Sequence, residues 1–458
     1  MTYFFETYGC QMNTAESAAL NLVLRERGWT AAEDGEKADL VILNTCSVRA
    51  TAEKRILGRL ALYRAMKKKR SFTLLVAGCM AQRLGEALKD KIKAVDYVMG
   101  TDARSVFPLI LEGLEQGVSV KQGVSRIKIE ESPVFSFSSF HLEEGQFRAF
   151  IPIMHGCNNF CSYCIVPYVR GREVSRDPGA ILREIDLLAE RGVREITLLG
   201  QNVNSYRWEG DAAGLPGGSS GPGNGEFGFP ELLELIARRV ENTPIRWIRF
   251  LSSHPRDLSS RVIRVMAEHP ALCRHLHLCV QHGSNAVLAA MNRRYTREQY
   301  LGLAADIREA MPGISLSTDI LIGFPGETNE DLEQTLDLME RVKFLYAYMY
   351  HFNPREGTAA CDLPGRIDED IKRDRLSRVI ALQKRHTLEL LKGRIGSREK
   401  VLVEGISRKN ADELITRTER DEMVVVPGSP ALIGSFIEVT LVSLRGNTFR
   451  AGSFNPVD

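Results

Sequence analysis

The sequence contains no apolar run approaching the roughly 20 residues that a membrane-spanning helix needs. Its first residues, MTYFFETYG, lack the basic start and apolar stretch of a secretory signal. Both absences predict a cytoplasmic chain with no membrane partner. An excess of one charge sign is missing as well: 60 Lys and Arg against 58 Asp and Glu leave a formal net charge of +2. That balance supplies no global field to attract a polyanion, so any nucleic-acid surface has to be a local patch. Cysteine is sparse, nine residues in 458. In a reducing compartment these thiols point to metal binding or catalysis, not to a disulfide framework.

What is present reads as a globular chain too long for one core, with about two to four domains expected. Up to about residue 120, strand-like and helix-like stretches alternate: YFFETYG, the amphipathic AESAALNLVLRERG, DLVILNT, a basic helix and FTLLVAG. The alternation predicts a parallel sheet. Each of these strands runs into a cysteine: Cys10 in YGCQMN, Cys46 in NTCSVR and Cys79 in AGCMAQR. In a parallel sheet the carboxyl ends share one edge, where open α/β folds place ligands, so three thiols distant in sequence can meet there. Three inert buried cysteines would read the same way.

A second segment, about 145 to 370, opens with IPIMHGCNNFCSYCIVPYVRGRE, in which Cys157, Cys161 and Cys164 stand as C-x3-C-x2-C after the strand-like FIPIM. A structural zinc site would call for a fourth protein ligand. No fourth cysteine lies nearby, and His155, two residues before Cys157, is the available substitute. Thiolates also hold iron and sulfur, and a [4Fe-4S] cluster on three cysteines leaves one iron open to a substrate. The chain then repeats a strand and helix unit about six times. ILREIDLLAERG sets Ile181, Ile185 and Leu188 on one helix face and stops at Gly192. Strands are expected at EITLLGQN, WIRFLSS, LHLCVQ, SLSTDILIGF and YAYMYHFNP. Such units build a barrel or part of one, active at the carboxyl ends of its strands, where Gln201, Asn202, Ser252, Ser253, Gln281 and GFPGE (323–327) fall. The intervening GDAAGLPGGSSGPGNGE reads as a flexible surface excursion. Cys273, Cys279 and Cys361 fit neither trio and read as core or incidental residues.

From about residue 385, KVLVEGI, ELITRTE, EMVVVPG and SFIEVTLVSLRG read as short strands, with Ile437, Val439 and Leu441 alternating with Glu438 and Thr440. A small β barrel results, for which oligonucleotide binding and a purely structural or dimerising role are both open. Arg408, Lys409 and Arg417, on its loops or edges, favour RNA. Two further basic stretches, RAMKKKR (64–70) and RGREVSR (170–176), are either nucleic-acid patches or solvated faces.

The C-x3-C-x2-C loop resembles the cluster motif of radical S-adenosylmethionine (SAM) enzymes. The whole chain, with TYGCQMN, NTCSVR, AGCMAQR, SSHP and GFPGET, resembles the methylthiotransferases of that superfamily. The resemblance implies an α/β fold in three parts. These are an N-terminal parallel α/β domain (1–120), a central partial (βα)6 radical SAM barrel (143–375) and a C-terminal β barrel of the TRAM type (385–455). It also implies two [4Fe-4S] clusters. Cys157, Cys161 and Cys164 would hold the one that binds and cleaves S-adenosylmethionine, and Cys10, Cys46 and Cys79 an auxiliary one that handles the inserted sulfur. Gln201, Asn202 and Gln281, taken as ending adjacent strands beside the cluster loop, are candidates to bond the cofactor's amino acid or ribose. YGCQMN is the form typical of the branch acting on isopentenylated tRNA; branches acting on threonylcarbamoyl-adenosine or a ribosomal-protein aspartate usually carry a lysine near Gln11 or Met12. Methylthiolation of carbon 2 of N(6)-isopentenyladenosine beside the anticodon is therefore implied, by a monomer served by a reductant protein and a sulfur donor. The hydrogen on that carbon is too weakly acidic for a side-chain base, a limit that radical abstraction avoids. The sequence demands no acid/base pair. LHLCVQHGSN departs from the family, with Cys279 and His282 where proline and serine are usual, and NPREGT replaces the commoner SPRPGT. A non-enzymatic iron-sulfur RNA-binding protein and a zinc-stabilised interaction protein are the competing classes.

Overall fold

The computed structural model describes residues 1–47, 50–85, 87–101, 106–117, 145–210 and 227–457. The excursion expected at 210–226 lies, from 211 onward, outside them.

The runs Leu40–Thr45 and Thr73–Gly78 are apolar along almost their whole length because both faces of their sheet are covered. Leu40, Ile42, Leu75 and Ala77 pack on one side with Leu20 and Leu24 of the helix Gln11–Glu26. Val41, Leu43, Leu74 and Val76 pack on the other with Ile56 and Leu60 of the helix Ala50–Met66. Five parallel strands result, in the order Thr30–Ala31, Thr2–Thr7, Leu40–Thr45, Thr73–Gly78, Tyr97–Met99. The two outermost strands have no clear signal in the sequence, being only two and three residues long.

The central region has the six expected strands, all parallel: Arg148–Pro152, Glu195–Leu199, Trp247–Phe250, His275–His277, Ser315–Ile322 and Tyr346–His351. The first three and the last three form two ladders, joined by single bridges at Ile248–Leu272 and Ser253–Leu278. This is a partial barrel in chain order. Helices such as Pro178–Glu190, Phe229–Arg239 and Asn329–Val342 bury their apolar faces against its outside in one large core. The first of these is started by Asp177, which accepts from Gly179 N and Ala180 N, and ends before Gly192, whose φ is +79°.

A 24-residue helix, Glu369–Lys392, leads to a closed five-stranded barrel. The expected strands are present, with Ile437, Val439 and Leu441 buried, and a fifth, Thr448–Val457, closes the barrel. It docks at the amino ends of the central strands. Trp247 meets Phe436 edge-on at 4.8 Å, and Arg249 donates to the carbonyls of Thr418 and Glu419, each at 2.9 Å. The α/β fold class with a terminal β barrel is thus what the sequence leads one to expect. No helix among the described residues is long and apolar enough to cross a membrane.

Candidate iron-sulfur and cofactor site

The first cysteine group is built by register. Thr7 pairs with Asn44 and Thr45 with Gly78, so the strands preceding Cys10, Cys46 and Cys79 end level with one another. Close approach fixes the rest. Gly9 has φ +131°, and a Cβ there would lie 2.7 Å from Cys46 Cβ, so only glycine lets the first loop reach the second strand end. Asn13, fully buried, ties the loops together: its Nδ2 donates to Thr45 O at 3.0 Å and to Tyr8 O at 3.2 Å, and its Oδ1 accepts from Cys10 Sγ at 3.4 Å. Cys46 and Cys79 are buried and Cys10 is exposed. Burial pushes the Cys79 thiol up to about 12; the Arg170 guanidinium counters this, while Glu16, Cys46 and Cys10 reinforce it.

The second group lies in the loop between the short strands Met154–His155 and Val174–Ser175, which pair antiparallel and close its neck. Gly156, with φ +79°, sits against the carbonyl of Arg172, where a Cβ would come within 1.9 Å. Its N–H donates to Gln201 Oε1 at 2.6 Å. Cys164 N donates to Cys161 O at 2.9 Å, closing a backbone turn between the two. From the far side Arg293 donates to Cys161 Sγ at 3.4 Å and to Cys279 O at 2.6 Å, and Asn292 donates to Phe160 O at 2.9 Å. Burial pushes Cys157 up to about 11 and Cys164 up to about 12, and the neighbouring thiols push in the same direction. Buried thiols at Cys157 and Cys164 held in the neutral form suit a site whose charge comes from bound iron, and the donor set fits a cysteine-held cluster. His155 is buried and paired with Val174 in the neck.

The two groups adjoin. Cys79 packs with Ile165, the residue after Cys164, and with Val169. Buried polar atoms gather beside the loop at the ends of the second and third strands. Asn202 Oδ1, both amide atoms of Asn204, Ser253 Oγ and His254 Nε2 have no hydrogen-bond partner among the described residues. Asn202 Nδ2 is fixed by Asp257 at 2.6 Å. Orphaned buried groups of this kind are costly unless a polar ligand meets them, which fits S-adenosylmethionine.

Some expectations change. Gln201 and Asn202 follow the second strand and Gln281 the fourth, with the third between, so these residues do not end adjacent strands. Gln201 commits its carbonyl oxygen to the cluster loop. Glu327 of GFPGE points inward, 3.3 Å from His282, and accepts from Arg375 at 2.9 Å, so it braces a loop. RGREVSR is not a surface patch: Arg170 and Arg176 are in buried ion pairs with Glu16 and Glu184, and Arg172 lies over Phe160. In RAMKKKR, Lys67 pairs with Asp96 and Arg70 donates to Gly35 O, leaving Arg64, Lys68 and Lys69 exposed. Arg417 pairs with Glu404 and Asp421, so only Arg408 and Lys409 of the three barrel residues present exposed charge. Cys273 is a core residue, and Cys279 lies within reach of two further donor side chains. It faces the barrel interior with His277 and Asp319, and Cys279 Sγ is 3.3 Å from His277 Nε2. Arg293 escapes a reading of the sequence, since no spacing ties it to Cys161. The signal for Cys279 is the alternation of His275, His277 and Cys279 with the buried Leu276, Leu278 and Val280.

Residues 2–100 match a family described as Uncharacterized protein family UPF0004, residues 151–339 the Radical SAM superfamily and residues 392–451 the TRAM domain. A tRNA-2-methylthio-N(6)-dimethylallyladenosine synthase of Treponema pallidum (strain Nichols) is 53% identical over 98% of this chain and 98% of its own. One from Treponema denticola is 49% identical over 98% and 99%. The solved structure of the radical S-adenosylmethionine methyltransferase TsrM from Kitasatospora setae, with cobalamin and a [4Fe-4S] cluster bound, shares the fold. Its TM-score is 0.59 at 16% identity, covering 79% of this chain and 77% of that one. The chain belongs to the radical S-adenosylmethionine methylthiotransferase family, in the branch whose members are named tRNA-2-methylthio-N(6)-dimethylallyladenosine synthases.

Proposed function

We propose that the chain methylthiolates carbon 2 of N(6)-isopentenyladenosine next to the anticodon of tRNA, as a cytoplasmic monomer supplied by a reductant protein and a sulfur donor. In this reading Cys157, Cys161 and Cys164 hold one [4Fe-4S] cluster and Cys10, Cys46 and Cys79 a second, on units spanning about 143–375 and 1–120, while 385–455 grips the RNA. One observation carries it. Cys79 of the first trio packs on the residue after Cys164 of the second, so a sulfur-handling centre and a SAM-cleaving centre would be one layer of side chains apart.

When bound, the cluster and S-adenosylmethionine supply the radical chemistry that a weakly acidic carbon–hydrogen bond requires. The chain supplies position. Gln201 and Arg293 fix the cluster loop from opposite sides. Asn202 and Ser253 offer buried oxygens to the cofactor's amino acid and ribose, and the amides of Gln201 and Gln281 are further candidates. The adenine must leave its stack to reach the barrel interior, as chemistry on a base generally requires. The test is nucleoside analysis of tRNA from cells lacking the chain. Isopentenyladenosine should accumulate without its 2-methylthio group, and loss of methylthiolation from threonylcarbamoyl-adenosine instead would overturn the assignment.

A further inference from the structure

The interior of the central barrel carries a donor set used by neither cysteine trio. His277 and Cys279, on and just past the fourth strand, and Asp319, on the fifth, point inward, and one ligand atom from each lies within 4.8 Å of the other two. The three separations are nearly equal. His277 Nε2 is 3.3 Å from Cys279 Sγ and 3.5 Å from Asp319 Oδ2, and Cys279 Sγ is 3.4 Å from Asp319 Oδ2. Tetrahedral zinc has bonds of about 2.0 Å to nitrogen and oxygen and about 2.3 Å to sulfur, so its ligand atoms stand roughly 3.3–3.6 Å apart.

The arrangement differs from a nucleophilic Cys–His–Asp triad. There the carboxylate orients the imidazole through one nitrogen and the thiol meets the other. Here both Cys279 and Asp319 meet Nε2, while Nδ1 lies 2.9 Å from Ser317 Oγ. Three donors converging on one point, with the remaining imidazole nitrogen anchored by an outer hydroxyl, is the geometry of a metal ligand set. Ser317 is itself held: its Oγ is 3.0 Å from His275 Nε2, and His275 Nδ1 is 2.8 Å from Ser315 Oγ. Arg293 donates to the carbonyl of Cys279 and fixes that residue's backbone.

We propose that His277, Cys279 and Asp319 bind one zinc-type divalent ion inside the barrel, separate from both cysteine trios, with a fourth position open to the interior. A mixed sulfur, nitrogen and oxygen set selects a borderline-soft ion over magnesium or calcium. Binding requires a neutral imidazole and a thiolate, so uptake of the ion releases protons.

The test uses the anaerobically reconstituted protein, freed of loose metal by a chelator, given one equivalent of zinc and desalted. Wild type should retain one zinc per chain, and zinc X-ray absorption should show a first shell with one sulfur and the rest nitrogen or oxygen. Cys279→Ala should lose the zinc and keep its full iron content, which shows that the variant is folded and its clusters are filled. Ser317→Ala should keep the ion but bind it about 10- to 100-fold more weakly. Zinc content unaltered by Cys279→Ala, or a zinc shell of three sulfurs marking a vacant cysteine trio, would overturn the proposal.

Discussion

Arg170 of the central region and Glu16 of the N-terminal sheet form an ion pair at 2.7 Å, with side chains only 3% and 5% exposed. The second guanidinium nitrogen donates to Asn13 Oδ1 at 3.3 Å, the oxygen that also accepts from Cys10 Sγ. One side chain thus joins the two cysteine-bearing regions and sets the polarity around Cys10, Cys46 and Cys79. Replacing Arg170 by Met takes the guanidinium away from a buried carboxylate, a loss of about 3–5 kcal/mol. Iron per chain should fall by about half, because only the trio of the N-terminal sheet loses its support, and the thermal midpoint should drop. Adding Glu16→Leu should restore most of the midpoint. Full iron and an unchanged midpoint in Arg170→Met would show the pair to be idle.

The trios rest on different scaffolds, one on strand ends and the other on a loop with its own neck. Alanine at Cys157, Cys161 and Cys164 together should therefore leave about four irons per chain while abolishing cleavage of S-adenosylmethionine, as expected of cysteine-held clusters with separate surroundings. Iron analysis and product chromatography read both quantities. Loss of all iron would mean that the sites assemble as one.

Stability should fall with acid through His254. Burial, aided by Arg293, Arg256 and Arg294, pushes its pKa down to about 2, against an unfolded value near 6.5. Between these values the unfolded chain binds a proton that the folded chain does not. The contribution is therefore complete above pH 6.5 and is lost at about 1.4 kcal/mol for each pH unit below it. His275, lowered to about 4 chiefly by burial, acts in the same direction. Anaerobic melting of His254→Gln should accordingly show a smaller drop between pH 7 and 5.5 than wild type. Equal drops would mean that His254 takes up its proton in the folded protein.

The sheet, the six central strands and both cysteine trios are legible because each depends on local pattern: apolar runs, turn residues and a cysteine at each strand end. Pairings between distant elements are not. The Arg170–Glu16 pair spans 154 residues, and nothing near either position marks it. The same blindness makes RGREVSR look like a surface patch, since a run of arginines reads alike whether each has a partner or faces water. The interior set at His277, Cys279 and Asp319 needs the register of two strands, which composition does not carry. Thr448–Val457 does not read as a strand because FRAGSFNPV holds small and turn-forming residues, yet barrel closure supplies partners on both sides.

The C-terminal barrel offers a test of how the RNA is held. Deleting it would uncover Trp247 and Cys273, which lie buried with Phe436 and Leu402, so point substitutions give the cleaner experiment. Arg408 and Lys409 are exposed in the turn after Arg398–Ile406, where their charge is available to phosphates. Arg417 is engaged by Glu404 at 2.7 Å and Asp421 at 2.9 Å, so its charge is already answered within the barrel. The two kinds of arginine should separate in a salt series. Removing one cation that neutralises a phosphate should flatten the dependence of log affinity on log salt by roughly 0.7 to 0.9, because fewer counterions are released on binding. Arg408→Ala with Lys409→Ala should weaken all tRNAs alike and flatten the slope by up to twice that amount. Cleavage of S-adenosylmethionine should be unchanged, since bonds to phosphate position an RNA without reading its sequence. Arg417→Ala should leave the slope as it is and lower the melting temperature through the loss of a partly exposed pair worth about 1 kcal/mol. An unaltered slope in the double variant would move the RNA surface to the exposed Arg64, Lys68 and Lys69 of the N-terminal sheet domain, whose substitution by alanine would then carry the salt effect.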